Sequence, residues 1–545
     1  MLPAFLRTRP WLGVLLVGLL ALAVRLPGLA RPLWLDECFS LRMAALPPAA
    51  LVHEARTGDA HPPGYYLVLR AWLQQGPGAQ PGEPGSVDLA ARSLSLLLGL
   101  LHVGVLALLA RSLLGREAGW LAGLLAATSG AMAWPAVEVR SFALAALLAS
   151  TAWLLAWRPV QSGGWLRPAG AALCLAGALW CFYHAALAAL ALLGFVLALR
   201  PPPRRLASLL LAGVGAALLF APWLPALLEQ LAWVRGQAQA GHAGLVLGWR
   251  GLADRWLNQH LLVTAPAYGL GGLLALPVLL HAGVRGWRGA QGVTGWPGVR
   301  AALLGPALPA PALPRQVLPG QVSPAQALPA GHPQALRALL VLLAVGLLGV
   351  LAAGLAGTFI SHRYATFLAG AWCVLGAAWL VRVPAPTRRW LVLALVAGGA
   401  VGSAWSLAQR RHPDWPGAVA ALGARAEAGT PVLVEPGFQV LCWRHYAGVP
   451  ARAVPGELAL EPGAPGGLAR AWLEPRDEPA LRAVLAGRPE AWLVRVRKGP
   501  RPEGEALDRA LAALGYALRE SLPGRGVLLE RWALERPASG PAPSR

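Results

Sequence analysis

Long apolar runs, separated by short polar turns rich in arginine, make up most of the first 409 residues. About eleven of these runs reach roughly 18 to 25 residues, enough to cross a bilayer core about 30 Å thick as helices. Their approximate centres are residues 20, 101, 126, 150, 175, 192, 218, 275, 346, 373 and 399. The first, from Trp11 to about Ala30, follows Arg7 and Arg9 and has no clear small-residue cleavage site. It reads as a retained membrane helix rather than a signal peptide. From about 286 to 335 the pattern lapses into a proline-rich, nearly uncharged stretch, read as an extended cytoplasmic loop. Beyond residue 410 the period changes. "PVLVE" (431–435) and "AWLVRVR" (491–497) read as strands, and "GAVAALGARAEAG" (417–429) and "EALDRALAALG" (505–515) as amphipathic helices. The pattern predicts an α-helical polytopic membrane domain over 1–409 and a small α/β domain over 410–545.

Composition agrees with the pattern. A mean hydropathy of +0.52, with 56% hydrophobic and 13% charged residues, excludes an ordinary soluble globular protein. The net charge of +22 raises nucleic acid as a partner. The arginines, however, are scattered between apolar runs with no interleaved aromatics, so no nucleic-acid partner is expected. They sit at span ends and set an orientation. With a cytoplasmic N-terminus, Arg111 and Arg116, Arg158 and Arg167, Arg200, Arg204 and Arg205, Arg285 and Arg288, and Arg382, Arg388 and Arg389 all fall inside. Arg31, Arg42, Arg56, Arg70 and Arg92 fall on the other side. The first outer loop is then 31–87, and the C-terminal domain is extracytoplasmic. The five cysteines form neither a CxxC pair nor a zinc spacing, and read as packing residues.

Acids are scarce in the membrane part: ten of the chain's 25 lie before residue 410, and only Asp36 and Glu37, in "RPLWLDECFSLRMAA" (31–45), are neighbours. On the same outer loop, "HPPGYYLVLRAWL" (61–73) offers His61, with Pro62 and Pro63 fixing an extended entry to a helix that begins near Tyr65 and Tyr66. "WPAVEVRSFALAALL" (134–148) places Glu138 and Arg140 at the start of the fourth span, and Tyr183 with His184 interrupts an apolar stretch. "SHRYATFLAG" (361–370) puts Arg363 and Tyr364 at the outer end of the tenth. Each string has an ordinary structural reading: a solvated loop acid, an aromatic belt, a helix-entry ion pair, a snorkelling arginine. All five nevertheless fall on one face, and ionisable groups at membrane depth are costly unless they pair or serve a site. A carboxylate can deprotonate an attacking hydroxyl, and arginines can hold a phosphate bidentately. With no P-loop in the sequence, the matching donor is a lipid-linked phosphosugar entering from the bilayer.

"LWLDECFSL", "HPPGYYLVLRAW", "EVRSFALAALL", "FYHAAL" and "HRYATF", in this order, resemble the GT-C superfamily of membrane glycosyltransferases, of the protein O-mannosyltransferase and aminoarabinose-transferase type. The resemblance covers roughly residues 10 to 410. It implies a GT-C fold and inverting sugar transfer from a polyprenyl phosphate to an acceptor hydroxyl on a protein, lipid or glycan, in a bacterial inner membrane. It further implies Asp36 as general base and Glu37 as its partner, orienting Asp36 or the acceptor or helping to hold a divalent metal ion. His61 and Glu138 line the donor sugar on this reading. Arg140, His184 and Arg363 stabilise the phosphate, and Tyr65, Tyr183 and Tyr364 complete the substrate site. Phe142 stands where the family usually has tyrosine, His362 where proline is frequent, and the long proline-rich loop is unusual. Two alternatives share the lipid setting: a transporter or flippase, which calls for broken helices with polar residues at mid-membrane, and a lipid-carrier-dependent polysaccharide ligase or polymerase.

Overall fold

The computed structural model describes residues 10–75, 84–162, 165–239, 333–355, 366–409, 412–447, 452–453, 478–496 and 504–535. Ten of the eleven expected apolar runs are helices: α1 (Pro10–Arg25), α5 (Pro84–Leu114), α6 (Arg116–Thr128), α7 (Phe142–Ser162), α8 (Leu166–Cys181), α9 (Ala185–Leu199), α10 (Pro203–Phe220), α12 (Pro333–Leu355), α13 (Thr366–Leu380) and α14 (Ala385–Gln409). The run centred on 275 and the stretch 286–332 lie outside the described residues. Among the described residues four helices are long and apolar enough to cross a membrane alone, and α7, α8, α9 and α13 contain shorter apolar stretches. The chain is thus a mostly helical polytopic membrane protein. One apolar core joins these helices, built from residues such as Leu106, Leu109, Trp153, Phe195 and Val374.

The third span departs from a straight rod. α6 is followed by a segment over Gly130–Val137 bent from it by 68°. Pro135 opens the last 3-10 turn, and residues 138–141 then leave the helical path before α7 starts at Phe142. That break lets the Glu138–Arg140 backbone face inward rather than disappear into a helix ladder.

The outer loop is not an open loop. It folds into α2 (Leu35–Ala45), α3 (Pro48–Thr57) and α4 (Gly64–Gln75). Asp36 and Glu37 occupy the first turn of α2, where negative charge suits the helix dipole. The Glu37 carboxylate also accepts from the Trp34 amide at 3.2 Å, satisfying one of the orphan donors there. Pro47 and Pro48 close α2 and open α3.

The C-terminal part forms a five-stranded mixed sheet ordered β2-β1-β3-β5-β4, from β1 (Val432–Glu435), β2 (Arg452–Ala453), β3 (Glu490–Arg495), β4 (Tyr516–Pro523) and β5 (Leu528–Leu534). β1 pairs in parallel with β2 and β3, and β5 runs antiparallel to β3 and β4. The two strands read from sequence are β1 and β3. The helix expected over 417–429 is α15 (Trp415–Gly423), shorter because the chain turns at Ala424 and reaches a left-handed Gly429. α11 (Leu224–Gln239), α16 (Val440–Ala447), α17 (Glu478–Leu485) and α18 (Gly504–Ala513) complete the described helices used here. α16 packs on α2, and Trp415, Trp443 and Trp492 share one core with Leu33, Cys38, Leu41 and Tyr65. The sheet unit is therefore fused to the outer-loop helices through buried aromatic surface.

Candidate active site

Asp36 lies on the exposed side of α2, its side chain 33% accessible, with Oδ2 4.0 Å from Nη2 of Arg140. The same Arg140 nitrogen lies 3.2 Å from Nε2 of His61. An arginine can only donate, so Nε2 of His61 accepts and Nδ1 carries the ring proton. Nδ1 accordingly donates to Oδ1 of Asp59 at 3.1 Å. Asp59 also accepts from the Tyr66 hydroxyl at 2.6 Å and from the Ala60 amide at 2.7 Å. Three of the residues expected from sequence, Asp36, His61 and Arg140, thus join one polar chain that ends on Asp59 and Tyr66. Burial pushes the Asp59 carboxyl up, but His61, Tyr66 and Arg140 outweigh it and hold the group below its ordinary value. Asp59 stays ionised and fixes the imidazole.

Aromatic rings set the floor. Arg140 stands 5.9 Å from the centroid of Phe142, a cation–π arrangement. Phe142 meets Phe182 edge-on at 5.4 Å, and Phe182 stacks on His61 at 6.2 Å and on His184 at 5.0 Å. Phe142 therefore packs beneath the guanidinium as an apolar surface.

Glu37 turns the other way from its neighbour. Its carboxylate and the Arg92 guanidinium are both fully buried, with Nη2 to Oε2 at 2.7 Å and Nε to Oε1 at 3.1 Å. The Val139 amide donates to Oε1 at 3.1 Å. Arg92 further donates to the carbonyls of Leu29 (2.9 Å), Pro32 (3.2 Å) and Arg31. Burial raises the Glu37 carboxyl, and Arg92 more than reverses this, leaving it below its ordinary value. One ion pair thus ties α2, the break before α7 and the turn after α1 together. With Glu37 so occupied, the acid pair does not fit a shared divalent ion. Among the described residues no group of three or more His, Cys, Asp or Glu could hold a metal.

The other expected residues have different surroundings. Tyr65 is buried and meets Tyr66 edge-on at 6.0 Å. Glu138 is buried, and its carbonyl accepts from the Arg140 amide (2.8 Å) and the Ser95 hydroxyl (2.6 Å). The Tyr183 hydroxyl bonds Gln230 and accepts from the Trp223 indole at 2.7 Å. Arg363 and Tyr364 lie outside the described residues. Sequence reading missed Asp59, although it stands two positions before His61, and missed Tyr66 as its partner. It also took Arg92 for a stray outer charge.

Residues 80–226 match the family model for dolichyl-phosphate-mannose-protein mannosyltransferase. The chain superposes on ArnT from Cupriavidus metallidurans in the apo state with a TM-score of 0.55 at 13% identity, covering 96% of this chain and 98% of that one. For the same protein bound to undecaprenyl phosphate the TM-score is 0.52 at 14% identity, with the same coverage. The archaeal oligosaccharyltransferase AglB from Archaeoglobus fulgidus, in complex with an inhibitory peptide and a dolichol-phosphate, gives 0.50 at 12% identity over 97% of this chain and 74% of that one. No curated protein sequence matches the chain. The chain has the GT-C fold of membrane glycosyltransferases.

Proposed function

We propose that this protein transfers a sugar from a polyprenyl-phosphate donor to an acceptor hydroxyl, with inversion, at the outer face of a bacterial inner membrane. The observation that carries the reading is the meeting of a solvent-reachable carboxylate, Asp36, with a positioned guanidinium, Arg140, on a protein of GT-C fold. Support also comes from the bound carriers of the two structural relatives, undecaprenyl phosphate in ArnT and dolichol-phosphate in AglB. The proposed topology has about eleven spans over 1–409, a cytoplasmic N-terminus and an extracytoplasmic α/β domain over 410–545.

In the proposed step Asp36 accepts the proton of the acceptor hydroxyl as its oxygen attacks the anomeric carbon. The bond from that carbon to the phosphate oxygen breaks, and the polyprenyl phosphate leaves with the electron pair. Arg140 meets the developing charge on that oxygen, a contact that strengthens toward the transition state. Asp59, itself held by Tyr66, fixes His61 beside the donor sugar with Nε2 accepting from Arg140. Glu37 is a positioning residue that fixes α2 through Arg92. No step is routed through a metal ion.

The test is transfer by purified Asp36→Asn. Asparagine keeps size and hydrogen bonding but cannot take the proton, so turnover falls by at least about 10²-fold with donor affinity retained. The assay compares membrane glycolipids and glycoproteins by mass spectrometry between cells lacking the gene and cells complemented with either form, and then uses the acceptor so found. Near-wild-type transfer by Asp36→Asn removes the general-base assignment.

A further inference from the structure

A polar cavity of about 520 Å³ opens at the seam between the membrane helices and the sheet unit. Its walls include Arg31 and Pro32 after α1, Gln409 at the end of α14, and His412 and Arg525. None of its lining residues belongs to the Asp36–Arg140–His61–Asp59 chain. Arg31 is only 8% exposed. Its Nε donates to the Gly28 carbonyl at 3.0 Å, while Nη1 and Nη2 are buried with no hydrogen-bond partner among the described residues. A guanidinium cannot shed its charge at ordinary pH, and buried donors without acceptors are costly. Two carboxylates act on Arg31 from a distance, Glu37 and Glu138, but Glu37 is engaged by Arg92, neither forms an ion pair with Arg31 among the described residues, and Arg92 itself repels it. Arg525, exposed on the β4–β5 turn, adds a second positive charge.

We propose that this seam cavity is an anion site that takes a phosphate group on the Arg31 fork, with Arg525 at its mouth. A planar guanidinium presents two parallel N–H donors in the geometry that a phosphate accepts. Depth fits a lipid source. The candidate spans Trp11–Gly28 and Ala385–Gln409 end beside the cavity, which places it at the level of phospholipid headgroups. His412 donates from Nδ1 to the Pro32 carbonyl at 2.8 Å and so fixes the wall opposite the sheet unit. Burial first, then Arg31, holds His412 down at about 4, so His412 is neutral at neutral pH and leaves the positive charge of the cavity to Arg31 and Arg525. An anion here bridges the membrane helices and the sheet unit, and the inference does not rest on the sugar-transfer reading.

Two probes test it on the full-length protein in neutral detergent: inorganic phosphate, by thermal shift against chloride at equal ionic strength, and phosphatidylglycerol against phosphatidylcholine, by native mass spectrometry. The wild type binds a phosphate-bearing ligand at this cavity, apart from any held by Arg140. Arg31→Gln weakens it by about tenfold or more, the loss of a two-pronged charged contact. Arg525→Ala, at an exposed position that tolerates truncation, weakens it several-fold, and Asp36→Asn leaves it unchanged. A phosphate shift without lipid preference identifies a free anion, and phosphatidylglycerol retention without the shift identifies a headgroup; both support the cavity. Wild-type binding in Arg525→Ala together with Arg31→Gln, no binding of either probe by the wild type, or equal loss in Asp36→Asn overturns the proposal.

Discussion

Replacing Arg92 with methionine removes a buried guanidinium while keeping much of its stem. In the wild type both charges of the Arg92–Glu37 pair are fully excluded from solvent, and Arg92 also satisfies the carbonyls of Leu29, Arg31 and Pro32. Removing one member of such a pair costs about 3–5 kcal/mol, because the other charge stays buried. At about 1 °C per kcal/mol, from about 2.1 cal/mol/K of unfolding entropy per residue over 545 residues, the melting temperature of the detergent-solubilised protein falls by about 3–5 °C at pH 7.5. The loss depends on pH in a definite direction. The folded wild-type Glu37 carboxyl lies below its ordinary value of 4.5, so the pair's contribution is present above that value and fades as pH falls through the folded one. In the variant, burial acts without Arg92 and raises Glu37, so its folded state gains stability as pH falls. The gap between the two proteins therefore narrows toward pH 4.5. A double variant, Arg92→Met with Glu37→Met, recovers at least half of the lost stability, since two apolar side chains replace two desolvated charges. Tryptophan fluorescence and size-exclusion after heating both report the transition. A melting temperature within about 1 °C of wild type at pH 7.5, or a double variant no better than the single, refutes the buried-pair account.

Three further outcomes follow from the site and the sheet. Arg140→Lys lowers affinity for the polyprenyl-phosphate donor as well as turnover, because a point charge does not reproduce the fork; unchanged binding in a titration with the donor refutes the contact. Asp59→Asn lowers turnover by roughly tenfold or more, the scale of one hydrogen bond to a charged group, by loosening His61; wild-type steady-state rates exclude that role. In the sheet unit, Glu435, Glu530 and Asp508 share Arg495. Burial is the largest influence on Glu435 and pushes its carboxyl up to about 7. Its folded value lies above the ordinary 4.5, so the contribution of this carboxyl to stability is full below 4.5 and lost as pH rises through about 7. Glu435→Gln is therefore close to wild type in melting temperature at pH 4.5 and more stable at pH 8, and a pH-independent difference refutes the assignment.

Hydropathy and period, which are properties of the chain read locally, determined the run of membrane helices, the change of character after residue 410 and the strands at β1 and β3. They showed the helix that begins near Tyr65, but not α2 and α3 before it, because a short helix such as α2, with no distinct apolar face, draws its stability from tertiary packing, here against α16 and Trp415. The bend after α6 was equally hidden, although Pro135 marks its place. Charge scarcity singled out Asp36, Glu37, His61 and Arg140 as residues, but not their partners. Arg92, 55 positions from Glu37, looked like a dilution of the charge pattern, and only the packed fold makes it the buried counter-ion. Asp59 looked like an ordinary loop acid until the fold brought His61, Tyr66 and Arg140 around it. Two adjacent acids were thus sent to different fates by one helical step: Asp36 faces outward near Arg140, and Glu37 is sealed beneath Arg92. Side chains one residue apart on a helix point about 100° apart, so the sequence supplies the pair while tertiary packing decides which carboxylate meets water.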